Sequence, residues 1–220
     1  MCVERTAHAA HAGRWEEGVM SSILKQGHLD GLCLVYAVAN AFKALKYPRR
    51  SASWFVDHQS HVWRKLVSVT PSLHNFVSGE GSAFELSTDS ADVLVKERLL
   101  ELYAAVIGER KREEYEARRV PLEELSSAIG ESSAGLVCLR TSVETGSCTI
   151  GEHWVCVVDA DQEQYYLACS YTDHLVKGGE PEHTRLSPLL NRPFNNTLPK
   201  RSVNKTSVYE NSVYHFRVAY

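Results

Sequence analysis

The sequence predicts an α+β protein. Helix-period apolar segments occupy the chain to about residue 130, and apolar runs separated by turn residues occupy the rest. The order is helices first and antiparallel strands after, the pattern of an α+β domain. At 220 residues, 44% hydrophobic and 23% charged, the chain is long enough for one sizeable core. The expected organisation is a flexible N-terminus over 1–13 and a single domain over 14–220. Its helical part covers about 14–130 and its sheet part about 131–220.

A short helix is predicted from Arg14 to about Leu24. After Gln26-Gly27-His28-Leu29-Asp30-Gly31, the run from Leu32 to Phe42 is apolar nearly all round. It reads as a buried central helix, with Asp30 placed to cap it. Trp54, Phe55, Val62 and Leu66 predict a second helix between Ala52 and Val69, packed on the first. Residues 70–90 hold turn formers and wander. A long amphipathic helix then runs from about Ser90 to Arg118. Val93, Val95, Leu99, Leu102, Tyr103 and Val106 form its inner stripe, and the charge-dense end is exposed. Pro121 opens a short helix over Leu122 to Ile129. Strands are predicted at Gly135–Arg140, His153–Val158 and Gln164–Cys169, the last two forming a hairpin around Asp159–Gln162. Residues 178–204 read as loop with short ordered pieces, and Ser212–Val218 as a closing strand. There is no internal repeat and no low-complexity tract.

Lys+Arg is 24 against Asp+Glu 27, a formal net charge of −3. A phosphate-tracking surface normally shows a basic excess, so no nucleic-acid partner is expected. Arg110-Lys111-Arg112 is diluted by Glu109, Glu113 and Glu114 and reads as a solvated helix face. No apolar run approaches the roughly 18 residues that cross a bilayer, and the first residues lack a signal peptide's apolar stretch. Six cysteines stand at 2, 33, 138, 148, 156 and 169 with no CxxC pair. They read as reduced thiols, most of them packing groups.

One of these cysteines is placed for chemistry. Cys33 sits just inside the start of the apolar helix, where unpaired backbone N–H groups favour thiolate over thiol. Gly31 lets backbone approach whatever the sulfur attacks. Read alone, Cys33 is equally well a small core residue. Gln26, seven positions earlier, carries an amide able to donate to an oxyanion, or is an exposed loop residue. His153 opens an apolar strand, which puts an imidazole at a sheet edge facing a cleft. There it serves as general base and acid, or is a satisfied structural histidine. The three in this order favour a cysteine nucleophile with its base and oxyanion donor. His58 and His61, three apart on a helix, could face one metal, but no Cys or carboxylate cluster of matching spacing accompanies them and they read as solvated helix histidines. A zinc set drawn from Cys138, Cys148, His153 and Cys156 matches no standard ligand spacing.

With Gln26 and Cys33 before and on a helix start, and Gly151-Glu152-His153-Trp154 opening a strand, the chain resembles the papain-like cysteine protease superfamily. The stretch Asp30-Gly31-Leu32-Cys33-Leu34-Val35-Tyr36-Ala37 is most similar to small bacterial papain-fold peptidases of the bacteriocin-leader type. The resemblance covers these segments and the layout of helices then sheet. It implies Cys33 as nucleophile, His153 as general base and acid, and Gln26 in the oxyanion hole. It also implies cleavage of a peptide, isopeptide or related amide through a thioester, with no metal or organic cofactor, on a protein or peptide substrate. The family places Asn or Asp after the histidine to orient the ring, whereas Cys169 stands there in this chain. The alternatives are a Cys–His dyad, Ser170 or Asp173 as substitute orienter with Asp173 the better chemistry, or a fold kept for binding after loss of catalysis. Deamidation or acyl transfer would use the same pair. Either a cytoplasmic location or delivery by signal-peptide-independent secretion, as for bacterial effectors and toxins, agrees with the sequence.

Overall fold

A computed structural model describes residues 22–26, 32–77, 90–109, 113–140, 143–145, 149–171 and 184–219. The fold is α+β. The main sheet has six antiparallel strands in the order β1(Glu114–Arg119), β10(Val208–Ala219), β2(Ser133–Leu139), β5(His153–Ala160), β6(Gln164–Ala168) and β9(Asn196–Pro199). Two two-stranded ribbons accompany it, β3(Val143–Glu144) with β4(Thr149–Ile150) and β7(Arg185–Leu186) with β8(Pro193–Phe194). The helices are α1(Cys33–Lys46), α2(Ala52–Val69), α3(Leu73–Val77), α4(Ser90–Gly108) and α5(Leu125–Ala128).

Both faces of the central strands are covered, so β2 and β5 are continuous apolar runs rather than alternating ones. One face carries Trp154, Cys156, Val158, Leu136 and Phe216 against α1, α2 and α4. The other carries Val155, Val157, Val137 and Leu167 against α5 and Val143 and Ile150 of the β3–β4 ribbon. Gly135 makes the second packing possible. A Cβ at that position would stand 2.8 Å from Leu125 Cδ1 and 3.2 Å from Val157 Cβ, so the bare backbone admits α5.

α1 is buried along nearly its whole length, from Leu34 to Ala44. Pro48 follows at once, and the residue before a proline is driven out of helical geometry. α2 is capped by Ser51, whose hydroxyl accepts from Trp54 N–H at 3.1 Å. Its Phe55, Val62 and Leu66 are buried, as their spacing predicts.

Several expectations change. Leu32 occupies the position before α1, and its own side chain makes no capping bond; Asp30, the expected cap, lies outside the described residues. Residues 22–24 are not helical, and the remainder of the helix expected from Arg14 lies outside the described residues. α4 stops at Gly108, and Glu114–Arg119 is an edge strand instead of a helix end. A Cβ on Gly108 would lie 2.4 Å from Glu113 O, so this glycine permits the close approach of the Glu113 backbone. The charged residues then suit a solvent-facing edge, where Glu116 pairs across the strands with Arg217. The buried stripe of α4 is Val93, Leu99, Leu100, Tyr103, Ala104 and Ile107, while Val95 and Leu102 face outward.

Candidate functional site

Three segments meet at one end of β5 and β6. The first holds Gln26. Asn40, a polar residue in the otherwise apolar α1, accepts from Leu24 N–H at 2.8 Å and donates to Leu24 C=O at 3.1 Å. Gln26 N–H donates to Ser170 C=O at 2.9 Å. Residues 24–26 are thus tied to α1 on one side and to the end of β6 on the other.

The second segment is Cys169-Ser170-Tyr171, just after β6. Asn195 holds it through its amide, accepting from Cys169 N–H at 2.8 Å and donating to Cys169 C=O at 2.9 Å. The Cys169 side chain packs into the core on the face away from α1, with Val155 and Val157. Ser170 is 1% exposed.

The third is His153, the first residue of β5. Sequence reasoning expects this ring at an open sheet edge. Instead β5 lies inside the sheet between β2 and β6, and His153 is 6% exposed. By strand alternation His153 belongs with Val155 and Val157, and Ser170 stands on the α1 side. As the leading residue of its strand, His153 still reaches Ser170, with its Nε2 at 3.4 Å from Ser170 Oγ. The same Oγ lies 3.0 Å from Gln26 Oε1. The Tyr171 ring packs edge-on beside the imidazole at 5.9 Å between centroids. Gln26, Ser170 and His153 therefore form one buried hydrogen-bond chain, with Gln26 itself 8% exposed.

Cys33 is the first residue of α1, half-buried and packed against the core that contains Trp154 and Cys156. α1 lies across β5, β2 and β6. Tyr36 N–H closes the first turn on Leu32 C=O at 2.9 Å. The three other described cysteines, Cys138, Cys156 and Cys169, are fully buried, and burial pushes the Cys156 thiol up to about 12. Trp154 is wholly buried and belongs to the core rather than to a cleft wall.

Asp173, the preferred substitute orienter in the sequence, lies outside the described residues, as do Gly31 and Cys148. Among the described residues no group of three or more His, Cys, Asp or Glu is arranged to hold a metal ion. His58 Nδ1 sits 3.0 Å from Trp54 C=O and its ring stacks on Trp54. No described helix is long and apolar enough to cross a membrane. Sequence reasoning missed Asn40, Asn195 and Tyr171. Asn40 carried a visible signal, a lone amide within an apolar helix. Asn195 carried none, because its partner is a backbone distant in sequence.

The fold and this corner define an α+β protein with a buried Gln–Ser–His chain beside a sheet covered by a cysteine-bearing helix. Compared with protein-family models, with curated proteins and with solved structures, the chain matches none.

Proposed function

We propose that the protein is a papain-like cysteine hydrolase acting on a peptide, isopeptide or related amide bond. The observation that supports this reading most is the junction of Gln26 and His153 through Ser170. Two residues far apart in sequence, proposed for one reaction from residue type and context, share one hydroxyl.

In this reading Cys33 is the nucleophile. Its place at the start of α1 puts the sulfur in the positive field of the helix N-terminus, which favours thiolate. His153 takes the thiol proton. The sulfur attacks the acyl carbon, and the oxygen that gains charge is held by first-turn backbone N–H groups and the Gln26 amide. The imidazolium of His153 then protonates the leaving amine, and the C–N bond breaks to leave a thioester. His153 next deprotonates water, which attacks the thioester, and the acid product leaves as the thiol re-forms.

The test is alkylation of the folded protein with iodoacetamide at pH 6, read by mass spectrometry, together with capture by an acyl-electrophile probe. Cys33 is expected to react roughly tenfold or more faster than a thiol of the unfolded chain, and Cys138, Cys156 and Cys169 to stay protected. Cys33→Ala and His153→Ala should each abolish probe capture. Alkylation of Cys33 with the pH profile of an unfolded thiol, unaltered by His153→Ala, would overturn the reading. Peptide-library profiling of the probe-reactive protein then defines the bond cleaved.

A further inference from the structure

We propose that Ser170 is a positioning residue whose single hydroxyl proton sets both the tautomer of His153 and the orientation of the Gln26 amide. This rests on the reading above, in which those two side chains serve the chemistry of Cys33.

A serine hydroxyl has one proton to give and lone pairs to accept with. Ser170 Oγ lies 3.0 Å from Gln26 Oε1 and 3.4 Å from His153 Nε2. An amide oxygen carries no proton, so Ser170 donates to Gln26. Its proton being committed, Oγ accepts from His153, and Nε2 must carry the hydrogen. In the neutral ring Nδ1 then holds the lone pair, so Nδ1 is the nitrogen able to take a thiol proton. The amide is oriented by the same bond. With its oxygen held at Ser170, the NH2 is the opposite end, and that is the end able to donate to an oxyanion.

The reverse arrangement is self-consistent but inert. If Ser170 donated to Nε2, its lone pair would face Gln26, and the amide would have to turn its NH2 inward. Nδ1 would then carry the proton and could not act as base, and the amide oxygen would point where a donor is needed. One hydroxyl rotor therefore couples base and oxyanion donor, and both are ready or neither is. Protonation of His153 during turnover leaves the chain intact, because the imidazolium still donates from Nε2. The surroundings hold Ser170 in place. It is 1% exposed, its carbonyl accepts from Gln26 N–H at 2.9 Å, and Asn195 clamps the residue before it. Low local dielectric strengthens such a chain.

Two measurements test this on the full chain. In a Cys33→Ala background, where no thiolate holds the ring as a cation, nitrogen-15 spectra report the His153 tautomer. The expected result is a dominant Nε2–H form, lost with Ser170→Ala and retained with Ser170→Thr, which keeps the hydroxyl. With Cys33 present, Ser170→Ala should slow alkylation of Cys33 at pH 6 by roughly tenfold and displace its pH profile upward, and Ser170→Thr should restore both. A dominant Nδ1–H form in the parent, or a tautomer unchanged by Ser170→Ala, overturns the proposal. If Ser170→Ala does not fold, the parent and Ser170→Thr spectra still decide it. Failure of the functional reading appears separately, as a parent Cys33 with no enhanced alkylation whatever the tautomer.

Discussion

The two ends of β5 both bury polar side chains, and they do so in opposite ways. At the far end, Arg192 is 3% exposed and donates to four backbone carbonyls, those of Ser133, Val158, Gly130 and Glu131, at 2.5 to 3.1 Å. Beside it Asp159 accepts from the N–H groups of Ala160, Leu189 and Leu190. Every one of these bonds joins a side chain to backbone, so the cluster fixes where chain segments lie, although burial pulls the Arg192 pKa down. At the His153 end the bonds run from side chain to side chain through Ser170, and one member is an imidazole, a ring that can carry its proton on either nitrogen. A cluster bonded to backbone resists change of state. A cluster bonded through rotatable and titratable groups can change state without moving the chain.

The comparison breaks first at Arg192. Arg192→Leu removes a donor from the buried carbonyls of Ser133 and Val158 and from the part-buried carbonyls of Gly130 and Glu131, of which Gly130 keeps Ser133 N–H. Each buried loss costs on the order of 1 kcal/mol or more, so a total of about 2–3 kcal/mol is expected. Urea unfolding would read this as a lower midpoint. Arg192→Lys should recover only part of the loss, since a single ammonium cannot reproduce the fork of a guanidinium. A small change for Arg192→Leu would show that the two ends do not differ in the way described.

A buried cation with few acceptors sharpens the point. Lys43 on α1 is 1% exposed, and among the described residues its ammonium donates only to Tyr47 C=O at 3.5 Å. Burial pulls its pKa from 10.5 down to about 8. The unfolded chain therefore binds this proton more tightly than the folded one. The penalty is full below pH 8 and is relieved as pH rises from 8 towards 10.5, so this group makes stability increase across that window. The Cys156 thiol from about pH 9 upward, and Tyr115 and Tyr214 above pH 10, all pushed up by burial, act in the opposite sense. Lys43→Met should stabilise the protein by about 1–3 kcal/mol at pH 7 and remove the rise between pH 8 and 10. Unfolding curves at pH 7, 8, 9 and 10 check both. An unchanged slope would mean that Lys43 is neutralised some other way.

What the sequence disclosed follows from where each signal resides. α1, α2, β2, β5 and β6 were legible because their apolar runs are contiguous and bounded by turn residues. β1 was read as helix because Glu, Lys and Arg favour helices locally, while its strand state depends on pairing with β10, about a hundred residues later. β9 was read as loop for the same reason, since only β6 gives Asn196–Pro199 its pairing. The phase of α4 was misread because apolar residues occur on several of its faces, Leu94, Val95 and Leu102 among the exposed ones. At the candidate site, residue type and position nominated Gln26, Cys33 and His153. The bond pattern that joins two of them passes through Ser170, while Asp173, the stronger partner for an imidazole by residue type, lies outside the described residues. That Ser170 meets both Gln26 and His153 depends on proximity in the fold, which no local chemistry encodes.

The smallest effect on stability is expected at His153 itself. His153→Gln retains an amide that can bond to Ser170 and loses the ring contact with Tyr171. An edge-on aromatic contact contributes about 0.5–1.5 kcal/mol beyond burial, and the exchanged polar group offsets part of that loss. Unfolding free energy should therefore fall by no more than about 1 kcal/mol. An amide cannot take a thiol proton, so the enhanced alkylation of Cys33 at pH 6 should disappear in the same variant. Backbone clasps and chemical groups are separated by this contrast, because a clasp loses stability when altered and a chemical group loses reactivity. If His153→Gln instead unfolds the protein as readily as Arg192→Leu, the His153 end is a second clasp, and the difference between the two ends of β5 is one of bond type only.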